Sequence, residues 1–230
     1  MKLKHVFGLT FLILLADQLL KVYVKTHFYL GEEREVIRGI SWFRLHFIEN
    51  EGMAYGWKLG GEWGKLALTL FRLVAVAFGT FYLSHIIRKK YPNGFVICAT
   101  LIYAGAIGNL IDSLFYGMGF EFSDPYAQNI ARAFAQTGFK GGYAGFLHGR
   151  VVDMLYFPII TDAHFPSWLP LWGGESFEFF RPVFNIADAS ISFGVFLILI
   201  LQKRFFDMRK PEMHSTVETS SNVNDEMQVS

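Results

Sequence analysis

The chain has 230 residues, 52% of them hydrophobic and only 18% charged, with a formal net charge of +1 and a positive mean hydropathy. That balance suits a membrane protein better than a soluble domain, and it leaves no global field to attract nucleic acid or an acidic substrate. The one cysteine, Cys98, lies in the apolar run Val96 to Leu101. It excludes an internal disulfide framework and a multi-cysteine metal site, and reads as a small buried hydrophobe.

Lys2 and Lys4 precede the first apolar run, Val6 to Val24. No small-residue cleavage site follows it and further apolar runs do, so it reads as an uncleaved first span with a cytoplasmic N-terminus. In the next segment, 26–63, Ile40, Trp42, Phe43, Leu45, Phe47 and Ile48 alternate as in a short strand region. A second span, Leu66 to Ile87, leads through the basic turn Arg88, Lys89, Lys90, Tyr91, Pro92, Asn93 into a third, Gly94 to Phe115. The long segment 116–183 follows, and its aromatics, Trp168 and Trp172 among them, suit a surface against lipid headgroups. Its first part, Met118 to His148, is dense in Gly, Phe and Tyr and shows one helix-compatible stretch, Tyr126 to Gln136. The fourth span, Phe184 to Leu201, is followed by Lys203, Arg204, Arg209 and Lys210.

About 20 helical residues cross a hydrocarbon core of ~30 Å, so each of the four runs is a candidate span. The basic clusters at the chain start, at the short turn and after the fourth span belong in the cytoplasm by the positive-inside rule. The expectation is therefore a mainly α membrane protein: four transmembrane helices, both termini cytoplasmic, a small β region in the first outer loop and an extended second outer loop. The membrane domain covers 1–210, and the polar residues 211–230 read as a disordered cytoplasmic tail.

Ionisable groups inside a span are costly and usually mark function. The first span holds Asp17, Gln18 and Lys21, the second Arg72, the third Asn109 and Asp112, and the fourth Asn185 and Asp188. Asp17 and Lys21, four apart, share a helix face and can pair. Counting about 1.5 Å per residue from each cytoplasmic end puts Asp17, Arg72, Asn109 and Asp188 at a common height of about 20–24 Å. They form either a structural polar network or a site in the outer half of the bilayer, and a shared depth in all four spans favours the site. Asp153 lies outside the spans, between Gly149, Arg150, Val151, Val152 and the apolar Met154 to Phe157. It is either a solvated loop aspartate or part of an interfacial segment that lowers its carboxylate toward Asp188.

Five stretches, in order, resemble the blocks of the lipoprotein signal peptidases (signal peptidase II). Asp17, Gln18 and Lys21 are similar to DQxxK; Asn50, Gly52, Ala54, Tyr55 and Gly56 to NxGxAFG; and Gly108, Asn109, Leu110 and Asp112 to GNxxDR. Val151, Val152 and Asp153 resemble VVDF, and Phe184, Asn185, Ala187 and Asp188 resemble FNxAD. Two departures stand out. Ser113 occupies the place of the third block's arginine, with Arg150 as the expected replacement, and 116–148 is an insertion where the family has a short connection.

The resemblance implies an aspartic endopeptidase of the bacterial inner membrane, with its active site toward the outer leaflet and Asp153 and Asp188 as catalytic dyad. It implies diacylglyceryl-prolipoprotein substrates cut just before the lipidated cysteine, membrane lipids as surroundings, and neither a cofactor nor an obligate protein partner. Asn50, Gly52, Asn109, Asp112, Arg150 and Asn185 are the expected substrate-binding or supporting residues, and Asp17 with Lys21 the structural polar pair. No HExxH or cysteine cluster offers a metal site, and His46, His148 and His164 read as structural or surface residues. Two rivals are a serine peptidase using Lys21 and Ser190, for which no serine motif is present, and a proton-coupled transporter relaying through the buried carboxylates. The latter would show inverted repeats and broken helices, and the chain has no internal repeat.

Overall fold

The computed structural model describes residues 1–50, 61–133, 141–168, 170, 172–179 and 182–207. The predicted tail 211–230, and Gly52 with the rest of the stretch to Gly56, lie outside the described residues. Among the described residues four helices are long and apolar enough to cross a membrane: α1 (Leu3–His27), α2 (Gly61–Arg88), α3 (Asn93–Gly119) and α4 (Ile186–Asp207). Each contains the bulk of the apolar run expected of it and extends beyond one or both of its ends.

α3 packs against the other three spans. Its approach to α4 and α1 depends on glycine: a Cβ at Gly105 would fall 2.2 Å from the Ala187 carbonyl oxygen of α4, and one at Gly108 would fall 2.8 Å from Asp17 Oδ2 of α1. Small residues of this kind let helix backbones close up where no water is expelled to drive association.

One end of the bundle gathers the described residues of the three basic clusters. The Met1 ammonium donates to Asn93 Oδ1, and Phe205 packs edge-on to Phe95 with ring centroids 5.9 Å apart. Val6, Leu83, Ile86, Val96 and Cys98 complete the core there. Lys2, Lys4, Lys89, Lys90, Lys203 and Arg204 are all exposed around it.

The opposite end carries a three-stranded antiparallel sheet, β1 (Glu33–Glu35), β2 (Arg44–Asn50) and β3 (Val151–Tyr156), in that order. A bulge interrupts the β2–β3 register between Leu45 and Ile48. The segment 26–63 therefore does not form its sheet alone, and the stretch around Asp153 is the third strand of that sheet. The physical reason is side-chain alternation. Val152 and Met154 enter a core with Val24, Phe28, Phe47, Tyr116 and Phe120, which turns Val151 and Asp153 to the other face. On the edge away from β2, Phe184 pairs with Leu155 through N–H···O bonds of 2.7 and 3.1 Å, so the residues entering α4 run beside β3.

A second hairpin, β4 (Ile160–His164) and β5 (Ser176–Phe179), presents Trp168 and Trp172 to its surroundings. Within the insertion, the stretch from Tyr126 is not helical where it is described. Residues 125–128 form a turn and Ala133 bridges Phe120. Asp124 Oδ1 accepts from the Tyr126 amide, and Asn129 bonds the backbone at both Asp124 and Phe122. Such side-chain bonds compete with helix formation.

Candidate active site

The site begins with the first turn of α4. Asn185 stands at its N-cap, its Oδ1 accepting from the Asp188 amide at 2.8 Å. Its Nδ2 faces Asp153 Oδ1 at 2.7 Å, Asn109 Oδ1 at 3.2 Å and the Val152 carbonyl at 3.3 Å. Asn109, from α3, donates through Nδ2 to Asp188 Oδ1 at 2.7 Å. From β2, Asn50 Nδ2 reaches Asp153 Oδ2 at 3.3 Å. Asn185 and Asn109 thus link the two aspartates in one chain of hydrogen bonds, and Asn50 adds a second donor to Asp153.

The two carboxyls differ in setting. Asp153 is buried, 4% exposed, whereas Asp188 is only partly covered. Burial, reinforced by the negative charge of Asp188, pushes the Asp153 carboxyl up to about 7, against the opposing pull of the Asn50 and Asn185 amides and of Lys21.

Beneath this chain lies a buried polar hub centred on Lys21. Its ammonium sits 2.8 Å from both Asp17 Oδ2 and Asp112 Oδ2 and donates to Asn109 Oδ1 at 3.1 Å. Gln18 bridges Asp17 and Asp112 at 3.1 and 2.9 Å and accepts from the Tyr116 hydroxyl. Asp17 Oδ1 accepts from the Ala187 amide at 2.9 Å and Asp112 Oδ2 from the Val152 amide at 3.3 Å. The hub therefore holds both the start of α4 and strand β3. In α3 the ladder changes to a π turn, Asp112–Tyr116, and the Ser113 carbonyl accepts from the Gly149 amide at 2.9 Å. A Cβ at Gly149 would lie 2.0 Å from the Asp112 carbonyl oxygen, so glycine alone lets the chain enter β3 this closely.

A second buried pair stands one turn further along α1. Lys25 meets Glu49, the Ser123 hydroxyl lies 3.1 Å from each, and the rings of Tyr143, Phe120 and Phe47 surround the ammonium at 5.1 to 5.8 Å. Ser123, Phe120 and Tyr143 come from the insertion, which is how that segment joins the sheet to α1. Arg150 belongs to this cluster, 3.6 Å from Glu49 Oε2 and above the rings of Phe122 and Tyr143. The guanidinium that reaches Ser113 is that of Arg72, which donates to its hydroxyl at 2.7 Å.

Of the residues singled out from sequence, Asp153, Asp188, Asn50, Asn109 and Asn185 meet directly, with Asp17, Lys21 and Asp112 beneath them. Lys25, Glu49, Gly149 and Tyr116 were not singled out, although Lys25 lies one helical turn beyond Lys21 and so shares its face. Ser190 bonds the Ile186 carbonyl of its own helix, and Lys21 is engaged by carboxylates, so the serine–lysine arrangement is not assembled. Among the described residues no group of three or more His, Cys, Asp or Glu side chains is placed to hold a metal ion.

A family model described as signal peptidase (SPase) II matches residues 9–204. A lipoprotein signal peptidase of Porphyromonas gingivalis is 46% identical over 222 residues, covering 94% of this chain and 92% of its own. One from Amoebophilus asiaticus is 31% identical over 199 residues, covering 86% and 77%. Two solved structures, both described as bacterial membrane enzymes, share the fold with TM-scores of 0.54 and 0.52 at 21% and 22% identity. They cover 91% and 87% of this chain and 93% of each of theirs.

Proposed function

Since the chain belongs to the signal peptidase II family, we propose that it removes signal peptides from diacylglyceryl-modified prolipoproteins by aspartic catalysis at Asp153 and Asp188. The observation that carries this reading is the asparagine-linked pair of carboxyls, one buried and one accessible. Two nearby carboxylates do not both ionise readily, so the pair keeps one proton near neutral pH and titrates as a unit. Burial favours Asp153 as the group that keeps it. Asp188, partly open and in the first turn of α4, where unpaired backbone N–H groups attract negative charge, is the base.

In this mechanism Asp188 takes a proton from water as the water oxygen attacks the carbonyl carbon of the scissile bond. Asp153 gives its proton to the carbonyl oxygen and so neutralises the developing oxyanion. The tetrahedral intermediate then collapses: the C–N bond breaks, the proton held by Asp188 passes to the leaving amine, and the hydroxyl formed from the carbonyl oxygen returns its proton to Asp153, which leaves a carboxylic acid product and the pair singly protonated again. Asn109 and Asn185 keep the carboxyls in register, and the Lys21 hub anchors the two elements that carry them.

A bundle that exposes Lys2, Lys4, Lys89, Lys90, Lys203 and Arg204 at one end and carries its sheet at the other supports an inner-membrane orientation with the dyad toward the outer leaflet. At that height the acyl chains of a substrate stay in lipid while the peptide just before the modified cysteine meets water. The test is cleavage of lipidated and unlipidated prolipoprotein by purified protein. Wild type is expected to cut only the lipidated form, and Asp153→Asn and Asp188→Asn to lose cleavage by 10³-fold or so, roughly the scale of losing a catalytic acid or base. Undiminished cleavage by either variant would remove that residue from the dyad. Loss in Asp112→Asn with activity retained in the other two would move the chemistry to α3.

A further inference from the structure

Resting on that dyad, we propose that Arg72 of α2 is the cationic positioning residue of the pair, supplying through Ser113 and Asn109 the positive charge that position 113 does not carry. The contact chain is short. Arg72 Nη1 donates to Ser113 Oγ at 2.7 Å, that hydroxyl donates to the Asn109 carbonyl at 2.9 Å, and Asn109 Nδ2 donates to Asp188 Oδ1 at 2.7 Å. Arg150, the replacement expected from sequence, is instead held against Glu49.

The charge inventory gives the contact its purpose. Among the described residues four carboxyls face the site: Asp17 on α1, Asp112 on α3, Asp153 on β3 and Asp188 on α4. Against them stand Lys21 on α1 and Arg72 on α2, with the Tyr116 hydroxyl turned to Gln18. Lys21 is clamped between Asp17 and Asp112 and adds the last and smallest of the named pulls on Asp153. Lys25, Glu49 and Arg150 form a separate cluster at the end of β2. Arg72 interacts electrostatically with Asp188 most strongly, then Asp112, then Asp153. A guanidinium inside a span is costly. Here three carboxylates offset part of that cost, and in return it stabilises the singly ionised pair. A serine at 113 is small enough to admit the guanidinium from the neighbouring helix, whereas a long side chain there would fill the same space.

Removing this cation disfavours both ionisations of the pair, so both limbs of the pH–rate profile should move to higher pH by about one unit. The experiment compares wild type, Arg72→Gln, Arg72→Lys and the exchange variant Arg72→Ser/Ser113→Arg in cleavage of a lipidated prolipoprotein across pH. Arg72→Gln is expected to shift both limbs upward. Arg72→Lys should keep the limbs in place at a reduced rate, because an ammonium keeps the charge and loses the planar fork. The exchange variant returns the cation from α3 and should bring the limbs back.

Unshifted limbs in Arg72→Gln, whatever its rate, would reduce Arg72 to a structural contact and overturn the proposal. A folded exchange variant with shifted limbs would overturn it too. If Arg72→Gln does not fold, Arg72→Lys decides: limbs at the wild-type positions support the proposal and displaced limbs overturn it. Carboxyl-carbon NMR of Asp153 in detergent needs no substrate. An upward shift of its titration midpoint in Arg72→Gln upholds the inference even if wild type fails to cleave the lipidated substrate, a result that would sink the proposed function by itself.

Discussion

Asn185 performs two tasks with the two ends of one amide, and a pair of substitutions separates them. Its oxygen caps α4 at the Asp188 amide, and its nitrogen stabilises the ionised form of Asp153. Asn185→Ser keeps a capping oxygen and loses the donor; Asn185→Ala loses both. The cap contributes ~1 kcal/mol, so Ala is expected to be less stable than Ser by about that amount. The donated bond to a buried carboxylate contributes about 1.5–3 kcal/mol to the anion. Since 1.36 kcal/mol corresponds to one pH unit, the Asp153 midpoint should rise by about one to two units from its value near 7, with the Asn50 bond still in place.

The sign follows from which form the amide prefers. A donor favours the carboxylate, its loss favours the acid, and the alkaline limb of the pH–rate profile moves up equally in both variants. Cleavage of a lipidated prolipoprotein across pH, with thermal unfolding in the same detergent, reads both quantities. An alkaline limb that moved in Asn185→Ala alone would mean that the helix cap, rather than the amide donor, sets the ionisation of Asp153.

Two further outcomes follow from packing and buried charge. Lys25→Met strands Glu49 with Arg150 at 3.6 Å, and loss of one partner of a buried pair is expected to cost about 3 kcal/mol in denaturant unfolding. The double variant Lys25→Met/Glu49→Leu should recover most of that, and a double as unstable as the single would show that the charges were not the cause. Gly105→Ala sets a methyl against the Ala187 carbonyl, and overpacking against backbone should cost toward the upper end of ~1–3 kcal/mol. An unchanged thermal midpoint for this variant would mean that α3 and α4 are free to part.

Much of the architecture was legible because its causes are local. Span length, the basic residues flanking each span and the helical rise together place Asp17, Arg72, Asn109 and Asp188 at one height, and each is a property of a single stretch of chain. The i,i+4 pairing of Asp17 with Lys21 is equally local and is present at 2.8 Å. Asp153 was harder, because one strand's alternation does not say which partner it finds. In the fold it runs between β2 and Phe184, and its contact with Asn50 joins residues 103 positions apart. The turn at Asp124 was missed because its side-chain bonds override a weak helical pattern.

The amino-acid sequence by itself determined four spans, the gathering of basic residues toward one end, and a set of polar residues at one depth. These follow from transfer energies and helix geometry, which act along the chain. Only the tertiary structure decided which of those polar groups meet: Asp153 with Asn185, Lys21 with Asp112 as well as Asp17, Lys25 with Glu49, and Arg72 rather than Arg150 with Ser113. A buried charge or amide is satisfied by whichever partner close packing brings within hydrogen-bond reach, and that depends on how the helices and strands stack.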